Sequence, residues 1–390
     1  MNSNIKKNIV LVLTMKPSDG GKFQYCLTFI EAIKKISGIE TTALYYDDVW
    51  VSLLPENFNC IRVEREKKLN LLFKLFFEIL PGGIFILRNF SKYFVELQKK
   101  IFEVNPDYVI YPGNENSSYQ NKFKSICPVF DIMHKYEKFP EISSFKLLFL
   151  RNLHYKRLGK FSNILFFDSK LGKEQFIDNY KINNKCKSLV LPYIRPNYTK
   201  ELRDIEIEKL NKLLPEKFIF YPAQFWAHKN HIKLINAVYI LNNQFNIDIS
   251  LVLVGAKKNN YNETLRVIQE LNLSNKVMVL DYVSNEELVY LYKKAYCLVM
   301  ASLLGPTNIP QLEAIGLGCP VFVSDIYASR EQLGDAAIYF DPNDSLDLAN
   351  KIRDFFNSNE LREKLIFNGF KRDKKYGVKD FSKIIETAIK

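Results

Sequence analysis

Residues 297–325 read CLVMASLLGPTNIPQLEAIGLGCPVFVSD, and this stretch decides the fold. Its apolar runs, CLVMAS at the start and PVFVSD at the end, are typical of strands buried on both faces of a parallel sheet. Between them, the loop GPTNIP leads into a short helix. Thr307 or Asn308 can cap the start of this helix, and Pro310 is suited to its first turn. Gly318 can end this helix before the second strand begins. The stretch therefore predicts a compact β-α-β unit.

The same alternation of short apolar runs and helical patterns extends on both sides of this unit. Further strand-like runs are NIVLVLTM (8–15), DYVIYP (107–112), PVFDIM (128–133), NILFFDS (163–169), KFIFYP (217–222), ISLVLVG (249–255) and KVMVLDY (276–282). The charged helical stretch 197–217 divides these runs into two series. The pattern predicts an α/β fold, with two Rossmann-like, doubly wound domains that face each other across a cleft. The predicted domains are 1–196 and 217–378, with a linker at 197–216 and a final amphipathic helix at 379–390.

The composition limits the possible partners. The chain has 390 residues, of which 47% are hydrophobic, so it is long enough for two cores and is not expected to be disordered. Its formal net charge of +12 would suit nucleic acid, an anionic membrane surface or a phosphorylated substrate. No dense basic tract with interleaved aromatic residues occurs, so we expect no nucleic-acid partner.

The cysteines and the N-terminal sequence indicate a cytoplasmic protein. The six cysteines are far apart and no pair has C-x-x-C spacing, which is typical of reduced, buried thiols. The first apolar run stops at Lys16-Pro17 and no small-residue cleavage site follows, so it predicts a strand rather than a signal peptide. No run of about 18 apolar residues predicts a membrane span.

Ligands of doubly wound sheets bind at the carboxyl ends of the strands, so the loops there are the candidate sites. Gly20 and Gly21 follow the first strand, where glycine lets the backbone approach a ligand and the next helix offers N–H groups; a plain turn is the alternative. His134 lies just beyond a strand that ends near Asp131. Its imidazole can hydrogen-bond a substrate hydroxyl or transfer a proton, or it can be a structural histidine.

The loop after KFIFYP offers one cation and two histidines. Lys229 lies near a helix start, where an ammonium group beside unpaired backbone amides suits a phosphate, although it can equally be a solvated surface lysine. His228 and His231 have H-x-x-H spacing, but zinc needs three or four ligands and no third is visible, so we predict no metal site.

Glu313 is a single acid in an apolar setting within the first turn of the helix in GPTNIPQLEAIG. An ionised carboxylate accepts two hydrogen bonds well, which suits the hydroxyls of a sugar or a ribose. A carboxylate near a helix N-terminus is also stabilised electrostatically without any function.

Four segments together resemble the retaining glycosyltransferases of family 4, which are group 1 glycosyltransferases with the GT-B fold. They are YPAQFWAHKNHIKLINAV (221–238), GPTNIPQLEAIGLGCPVFVSD (305–325), VFDIMHKYEKFPE (129–141) and NILFFDSKLGKEQF (163–176). The resemblance spans most of the chain and is strongest over 217–342. It implies a nucleotide-sugar donor, UDP- or GDP-linked, in the second domain and an acceptor in the first, with the final helix crossing back to the first domain.

The resemblance also implies roles for individual residues. Lys229 would contact the donor diphosphate, Glu313 the ribose, and His134 the transferred sugar, which makes these three the expected catalytic residues. The other implied contacts to the donor are the amides around Thr307, Asn308 and Ile309 and the backbone at Gly20 and Gly21. Asp131 and Ser169 would lie on the acceptor side.

Two positions depart from the family pattern. The first Glu of the family's Glu–seven residues–Glu pair falls at Gly305, and an Arg that usually accompanies the lysine falls at Gln224. Both positions remain in the expected donor site. Their chemistry leaves open a catalytically lapsed, glycosyltransferase-like binding subunit.

The expected reaction is therefore retaining transfer of a hexosyl-type sugar to a glycan or lipid-linked glycan in polysaccharide or lipopolysaccharide assembly. No Asp-x-Asp occurs, which favours a metal-free route without a cofactor. A nucleotide-sugar epimerase of the same fold is an alternative, whereas the missing G-x-G-x-x-G argues against a dinucleotide oxidoreductase.

Two stretches, 69–90 and 145–160, are apolar and basic together. They could dock peripherally on the inner face of an anionic cytoplasmic membrane that carries a lipid-linked glycan. Alternatively, they are ordinary core helices whose lysines reach the solvent.

Overall fold

A computed structural model describes residues 6–201, 207–305 and 307–390. The chain divides into two compact units. The first contains the residues up to Ile132, then Leu148–Pro192 and Val378–Lys390, and the second contains Met133–Leu147 and Tyr193–Gly377. Residues 202–206 of the predicted linker and Pro306 of the loop GPTNIP lie outside the described residues.

Each unit is built on one parallel sheet. The strands of the first sheet are β1 (Lys7–Leu13), β2 (Ile39–Tyr45), β3 (Asn59–Arg62), β4 (Tyr108–Ile110), β5 (Lys124–Val129), β6 (Ile164–Phe167) and β7 (Lys187–Val190). The strands of the second sheet are β8 (Phe218–Pro222), β9 (Ser250–Val254), β10 (Val277–Leu280), β11 (Cys297–Met300), β12 (Val321–Ser324) and β13 (Ala337–Phe340). The strand orders are 3-2-1-4-5-6-7 and 10-9-8-11-12-13, so both sheets are doubly wound, as predicted.

Helices connect the strands. Those of the first half of the chain are α1 (Gly21–Ile33), α2 (Lys68–Ile79), α3 (Gly83–Phe90), α4 (Glu96–Val104), α5 (Phe145–Phe161) and α6 (Lys170–Asn179). Those of the second half are α7 (Tyr198–Glu201), α8 (Glu208–Leu213), α9 (His231–Asn243), α10 (Tyr261–Glu270), α11 (Asn285–Lys294), α12 (Pro310–Gly316), α13 (Ser329–Leu333), α14 (Ser345–Phe356), α15 (Asn359–Lys375) and α16 (Val378–Ile389). No helix within the described ranges is long and apolar enough to cross a membrane.

The central strands are apolar because helices cover both of their faces. Residues Ile9–Leu13 of β1 and Cys297–Val299 of β11 are fully buried. This burial explains why continuous apolar runs in the sequence predicted these strands correctly. Strands β2, β3, β7 and β13 were not predicted. Strands β3, β7 and β13 lie at sheet edges, where partial exposure admits polar residues, and β2 carries Glu40, Thr41 and Thr42 between its apolar residues.

The predicted strand 128–133 was wrong in its bounds. Strand β5 begins at Lys124 and ends at Val129. Its pairing with β6 runs to the partners Val129 and Phe167, where β6 also ends, so the residues beyond Val129 have no neighbouring strand on that side.

The last helix, α16, packs against α1 within the first unit. The Phe381 ring meets the rings of Phe29 and Tyr25 edge to face, with centroid distances of 5.3 and 5.9 Å. The Ser382 hydroxyl donates to the Ala32 carbonyl over 2.9 Å. The other segments of the first unit end at Pro192. The apolar face of α16, near the end of the chain, therefore completes the core of this unit.

We expect Phe381→Ala to lower the free energy of unfolding by roughly 3–5 kcal/mol, because it leaves a cavity beside two packed rings. The urea midpoint followed by circular dichroism measures this change. Lys383→Ala on the exposed side of the same helix is the matched control. Equal midpoints for the two variants would contradict the packing of α16.

Candidate active site

The candidate site of the second unit lies where the strand order reverses, between β8 and β11. The loops that follow these two strands meet there. The Lys229 ammonium group follows β8 and donates to the Ser302 hydroxyl, which follows β11, over 3.4 Å. The predicted phosphate-binding lysine is thus joined to the second loop of the same sheet edge.

The turn that carries Lys229 is fixed through its backbone. After Trp226 the chain makes a short 3-10 turn, Ala227–Lys229, and α9 then begins at His231. The Tyr221 hydroxyl donates to the Lys229 carbonyl over 2.7 Å, and the Leu303 amide donates to the His228 carbonyl over 2.7 Å. These bonds hold the turn against both strands.

Gln224, at the position where the family pattern has an arginine, bonds within its own loop. Its side-chain oxygen Oε1 accepts a hydrogen bond from the Trp226 indole over 3.0 Å. The amide is neutral, so Lys229 is the cation of this motif.

The loop after β11 explains why glycine replaces the first glutamate of the family pair. Gly305 has φ +97°, a left-handed conformation that side chains other than glycine rarely adopt. A Cβ at Gly305 would have ordinary space, with the Thr307 carbonyl oxygen nearest at 3.5 Å. Backbone conformation, rather than space, therefore opposes a glutamate there.

The predicted caps of α12 were wrong. The residue before the helix is Ile309, and no side chain caps it, although Pro310 is the first helical residue as predicted. The backbone N–H of Asn308 instead donates to the side-chain oxygen of Gln332 over 3.1 Å. The side-chain amide of Gln332 donates back to the backbone carbonyl of Asn308 over 2.9 Å. Gln332, which sequence reasoning missed, holds the loop, in which Thr307 is buried.

Gly318 follows the end of α12 as predicted. It lies two residues after Gly316 and has φ +77°. The next amide, that of Cys319, donates to the Ala314 carbonyl over 2.9 Å, so the chain turns back toward β12.

Glu313 is buried, with 4% of its surface exposed, and both carboxylate oxygens have partners. Tyr198 donates to Oε1 over 2.7 Å and Tyr292 donates to Oε2 over 2.6 Å. Burial raises the pKa of Glu313, and the two phenol hydrogen bonds oppose that rise. The phenols fix the orientation of the carboxylate, and no local sequence signal links either tyrosine to it.

The segment Met133–Leu147 belongs to the second unit, although the sequence-based partition put it in the first. Glu141 joins it to the Lys229 turn, because its Oε1 accepts from the His228 amide over 3.1 Å and also pairs with the His228 ring. Its Oε2 accepts a hydrogen bond from the side-chain amide of Asn259 over 2.9 Å. Burial alone would raise the pKa of Glu141, but the hydrogen bonds from His228 and Asn259 outweigh it and hold this pKa below its usual range.

Further contacts attach the same segment near the β11 loop. The Tyr327 hydroxyl hydrogen-bonds the Glu137 carboxylate. A small apolar cluster contains Met133, Ile142 and Leu304. His134 is buried within the short turn Met133–Lys135 of this segment, so it lies in the same unit as Lys229.

The two histidines of the H-x-x-H pattern have separate environments. His231 is fully buried and stacks on Phe225 with ring centroids 4.5 Å apart, and burial lowers its pKa to about 3. Its Nε2 hydrogen-bonds the Ala223 carbonyl over 3.3 Å. His228 pairs with Glu141 instead, and no cluster of three or more potential metal ligands occurs among the residues that the structure describes.

The remaining predicted residues lie in the first unit. Gly20 has φ +58° and immediately precedes α1, whose first residue is Gly21. The Asp131 carbonyl accepts from the Tyr155 hydroxyl over 2.7 Å. Ser169 caps α6: its hydroxyl accepts from the Gly172 amide over 3.0 Å and donates to the Asp168 carboxylate over 3.0 Å.

Known proteins resemble part of the sequence. Residues 203–372 match the family described as glycosyl transferases group 1. The O-antigen chain mannosyltransferase RfbU of Salmonella typhimurium is 32% identical over 135 residues, which is 35% of this chain and 37% of that protein. The N-acetylgalactosamine-N,N'-diacetylbacillosaminyl-diphospho-undecaprenol 4-alpha-N-acetylgalactosaminyltransferase of Campylobacter jejuni is 28% identical over 190 residues, or 48% of this chain and 47% of that protein. The matched regions therefore span less than half of either relative.

Solved structures resemble nearly the whole chain. Sucrose-phosphate synthase from Thermosynechococcus elongatus superposes with a TM-score of 0.71 at 16% identity, over 98% of both chains. Anabaena HepE, solved in complex with UDP and glucose, gives a TM-score of 0.69 at 15% identity, over 97% of this chain and 98% of that one. At such low identity these likenesses establish the fold. The chain has the GT-B fold, and its residues 203–372 match the group 1 glycosyltransferases.

Proposed function

We propose that the protein is a retaining, metal-independent glycosyltransferase of family 4. It moves a hexosyl-type sugar from a UDP- or GDP-linked donor to a glycan or lipid-linked glycan in polysaccharide or lipopolysaccharide assembly. The observation that carries the proposal is the Lys229–Ser302 hydrogen bond at the strand-order reversal of the group 1 domain. It puts a cation at the sheet edge where doubly wound domains bind phosphates.

The donor diphosphate is bound by Lys229. Glycosyl transfer builds negative charge on the leaving diphosphate, and an ammonium group held in advance stabilises that charge without reorganising. The backbone of the Lys229 turn is held by Tyr221 and Leu303, which supports such a role.

Glu313 binds the donor ribose. Its carboxylate has a fixed orientation because Tyr198 and Tyr292 each donate to one oxygen. Each carboxylate oxygen has two acceptor sites, so one site on each remains for the two ribose hydroxyls. The donor site is completed by Gln224, Gly305 and the backbone amides of the β11 loop. The backbone amide of Asn308 is not among them, because it already donates to Gln332.

Retention of configuration needs the acceptor to approach on the face that the diphosphate leaves. The acceptor oxygen attacks the anomeric carbon, the bond from that carbon to the diphosphate breaks, and a departing phosphate oxygen takes the hydroxyl proton. His134 lies beside the transferred sugar in this proposal. Its segment is attached to the donor unit through Glu141 and Glu137, which supports a role at the donor.

The acceptor side is supplied by the first unit, with Asp131 and Ser169 just beyond strand ends, whereas Gly20 and Gly21 are proposed contacts of the donor diphosphate. The names of the relatives describe transfer of mannose to an O-antigen chain and of N-acetylgalactosamine to a diphospho-undecaprenol-linked glycan. These names support a glycan on a lipid diphosphate as the acceptor class. We propose a cytoplasmic protein that meets this acceptor at the membrane surface.

A binding subunit without turnover is the second candidate. It is favoured by the glycine at 305, whose φ of +97° opposes the family glutamate, and by the neutral Gln224. Donor binding without sugar transfer would support it.

We expect Lys229→Ala to lower kcat/KM for sugar transfer about 100-fold, because it removes the cation that faces the leaving diphosphate. The donor is first selected from UDP- and GDP-sugars by the rise in melting temperature that it causes. Lys233→Ala, exposed one turn along α9, is the matched control and should keep full activity. Unchanged transfer by the Lys229 variant would rule out the proposed site.

We expect Glu141→Ala to raise the donor KM about tenfold, because the His228 side of the Lys229 turn loses its carboxylate partner. Glu141→Gln keeps an oxygen that accepts from the His228 amide, so it should restore most of the affinity. Glu270→Ala removes an exposed carboxylate that pairs with Arg266, and it serves as the control. A donor KM for Glu141→Ala equal to that of the control would show that the turn needs no such support.

A further inference from the structure

Helix α2 has the reverse of the usual arrangement of a surface helix. Its only buried residue is its only acid, Glu78. Its large apolar side chains are 43–63% exposed, namely Leu69, Leu71, Leu72, Phe73, Leu75, Phe76 and Ile79. A surface helix of a soluble domain normally packs its apolar stripe on the core. The alternative of an ordinary core helix therefore does not hold for 69–90.

The exposed apolar surface continues through α3 to the following turn. The further exposed side chains are Leu80, Phe85, Ile86, Phe90 and Tyr93. Gly82 turns the chain with φ +77°, and the Cα of Gly83 lies so close to the Phe77 carbonyl that a Cβ would clash. We call residues 68–93 the apolar hairpin.

Polar contacts on the inner side anchor the apolar hairpin to the first unit. Gln120 donates to the Glu78 carboxylate over 2.5 Å, and Arg88 donates to the Tyr119 carbonyl over 3.1 Å. The Ser91 hydroxyl donates to the Gln120 carbonyl over 2.9 Å. The hairpin is thus held by its inner side, and its outer apolar side chains remain available for contact.

The exposed charge on the hairpin and its flank is positive. Lys67 and Lys68 are exposed, and Lys74 and Lys92 are half-buried. The only acid between 67 and 95 is the buried Glu78. Soluble monomers rarely expose apolar patches of this size, and a patch bordered by lysines complements an anionic lipid surface.

We propose that the apolar hairpin inserts into the surface of an anionic lipid membrane, with its leucines and phenylalanines among the acyl chains and its lysines at the headgroup phosphates. A second copy of the chain is a poorer partner. A two-fold contact would bring the same patch, with the lysines that border it, against itself. The proposal rests on this surface alone, so it stands or falls independently of sugar transfer.

The test is flotation of the full chain with lipid vesicles, without donor or acceptor. We expect the protein to float with vesicles of equal phosphatidylcholine and phosphatidylglycerol, and to be released by raised salt, which screens the lysines. Leu72→Glu combined with Phe76→Glu should reduce the bound fraction at least tenfold. The matched control combines Leu346→Glu and Phe367→Glu, two exposed apolar residues of the second unit, and should bind as the unchanged protein does.

Circular dichroism checks that the variants fold. If the Leu72/Phe76 variant does not fold, Lys67→Glu with Lys68→Glu replaces it and should weaken binding to the anionic vesicles alone. Absence of flotation, or equal flotation of hairpin and control variants, would overturn the proposal. A dimer in light scattering that the hairpin variant dissociates, without vesicle binding, would assign the surface to a second copy instead.

Discussion

The parallel pairing of β11 with β8 is the constraint on which the candidate site depends. Cys297 pairs with Ile219 and Leu298 pairs with Phe220, so the two strands leave the sheet at the same edge. Lys229 and Ser302 lie on the loops that follow these strands and are 73 residues apart in sequence, yet Lys229 reaches Ser302 over 3.4 Å. Both strands are buried on both faces, as is typical of the central strands of a parallel sheet.

Around this pairing, hydrogen bonds from neighbouring elements hold the polar side chains of the site. Glu313 bonds Tyr198 and Tyr292, and Glu141 bonds His228 and Asn259. A buried carboxylate without such donors would be costly. These bonds also hold the positions of the turn and the helix that carry the proposed donor contacts. Preorganised polar groups of this kind are what stabilisation of a leaving diphosphate requires.

The sequence was sufficient for the fold because most of the central strands are continuous apolar runs. It also located Lys229 and Gly305 on loops of one unit and Glu313 on the helix that follows Gly305, since the carboxyl ends of parallel strands meet at one edge. The partners Gln332, Tyr198 and Glu141 could not be predicted, because each acts from an element distant in the chain. The exposure of α2 was equally hidden, since apolar residues read the same in a core and on a surface.

The central claim is that Lys229 binds the diphosphate of a sugar nucleotide at the edge of the second sheet. The most direct test is a crystal structure of the full chain with a bound UDP or GDP. We expect a phosphate oxygen within hydrogen-bond distance of Lys229 Nζ and the ribose hydroxyls at the Glu313 carboxylate. A nucleotide bound elsewhere, with no phosphate oxygen near Lys229 Nζ, would contradict it.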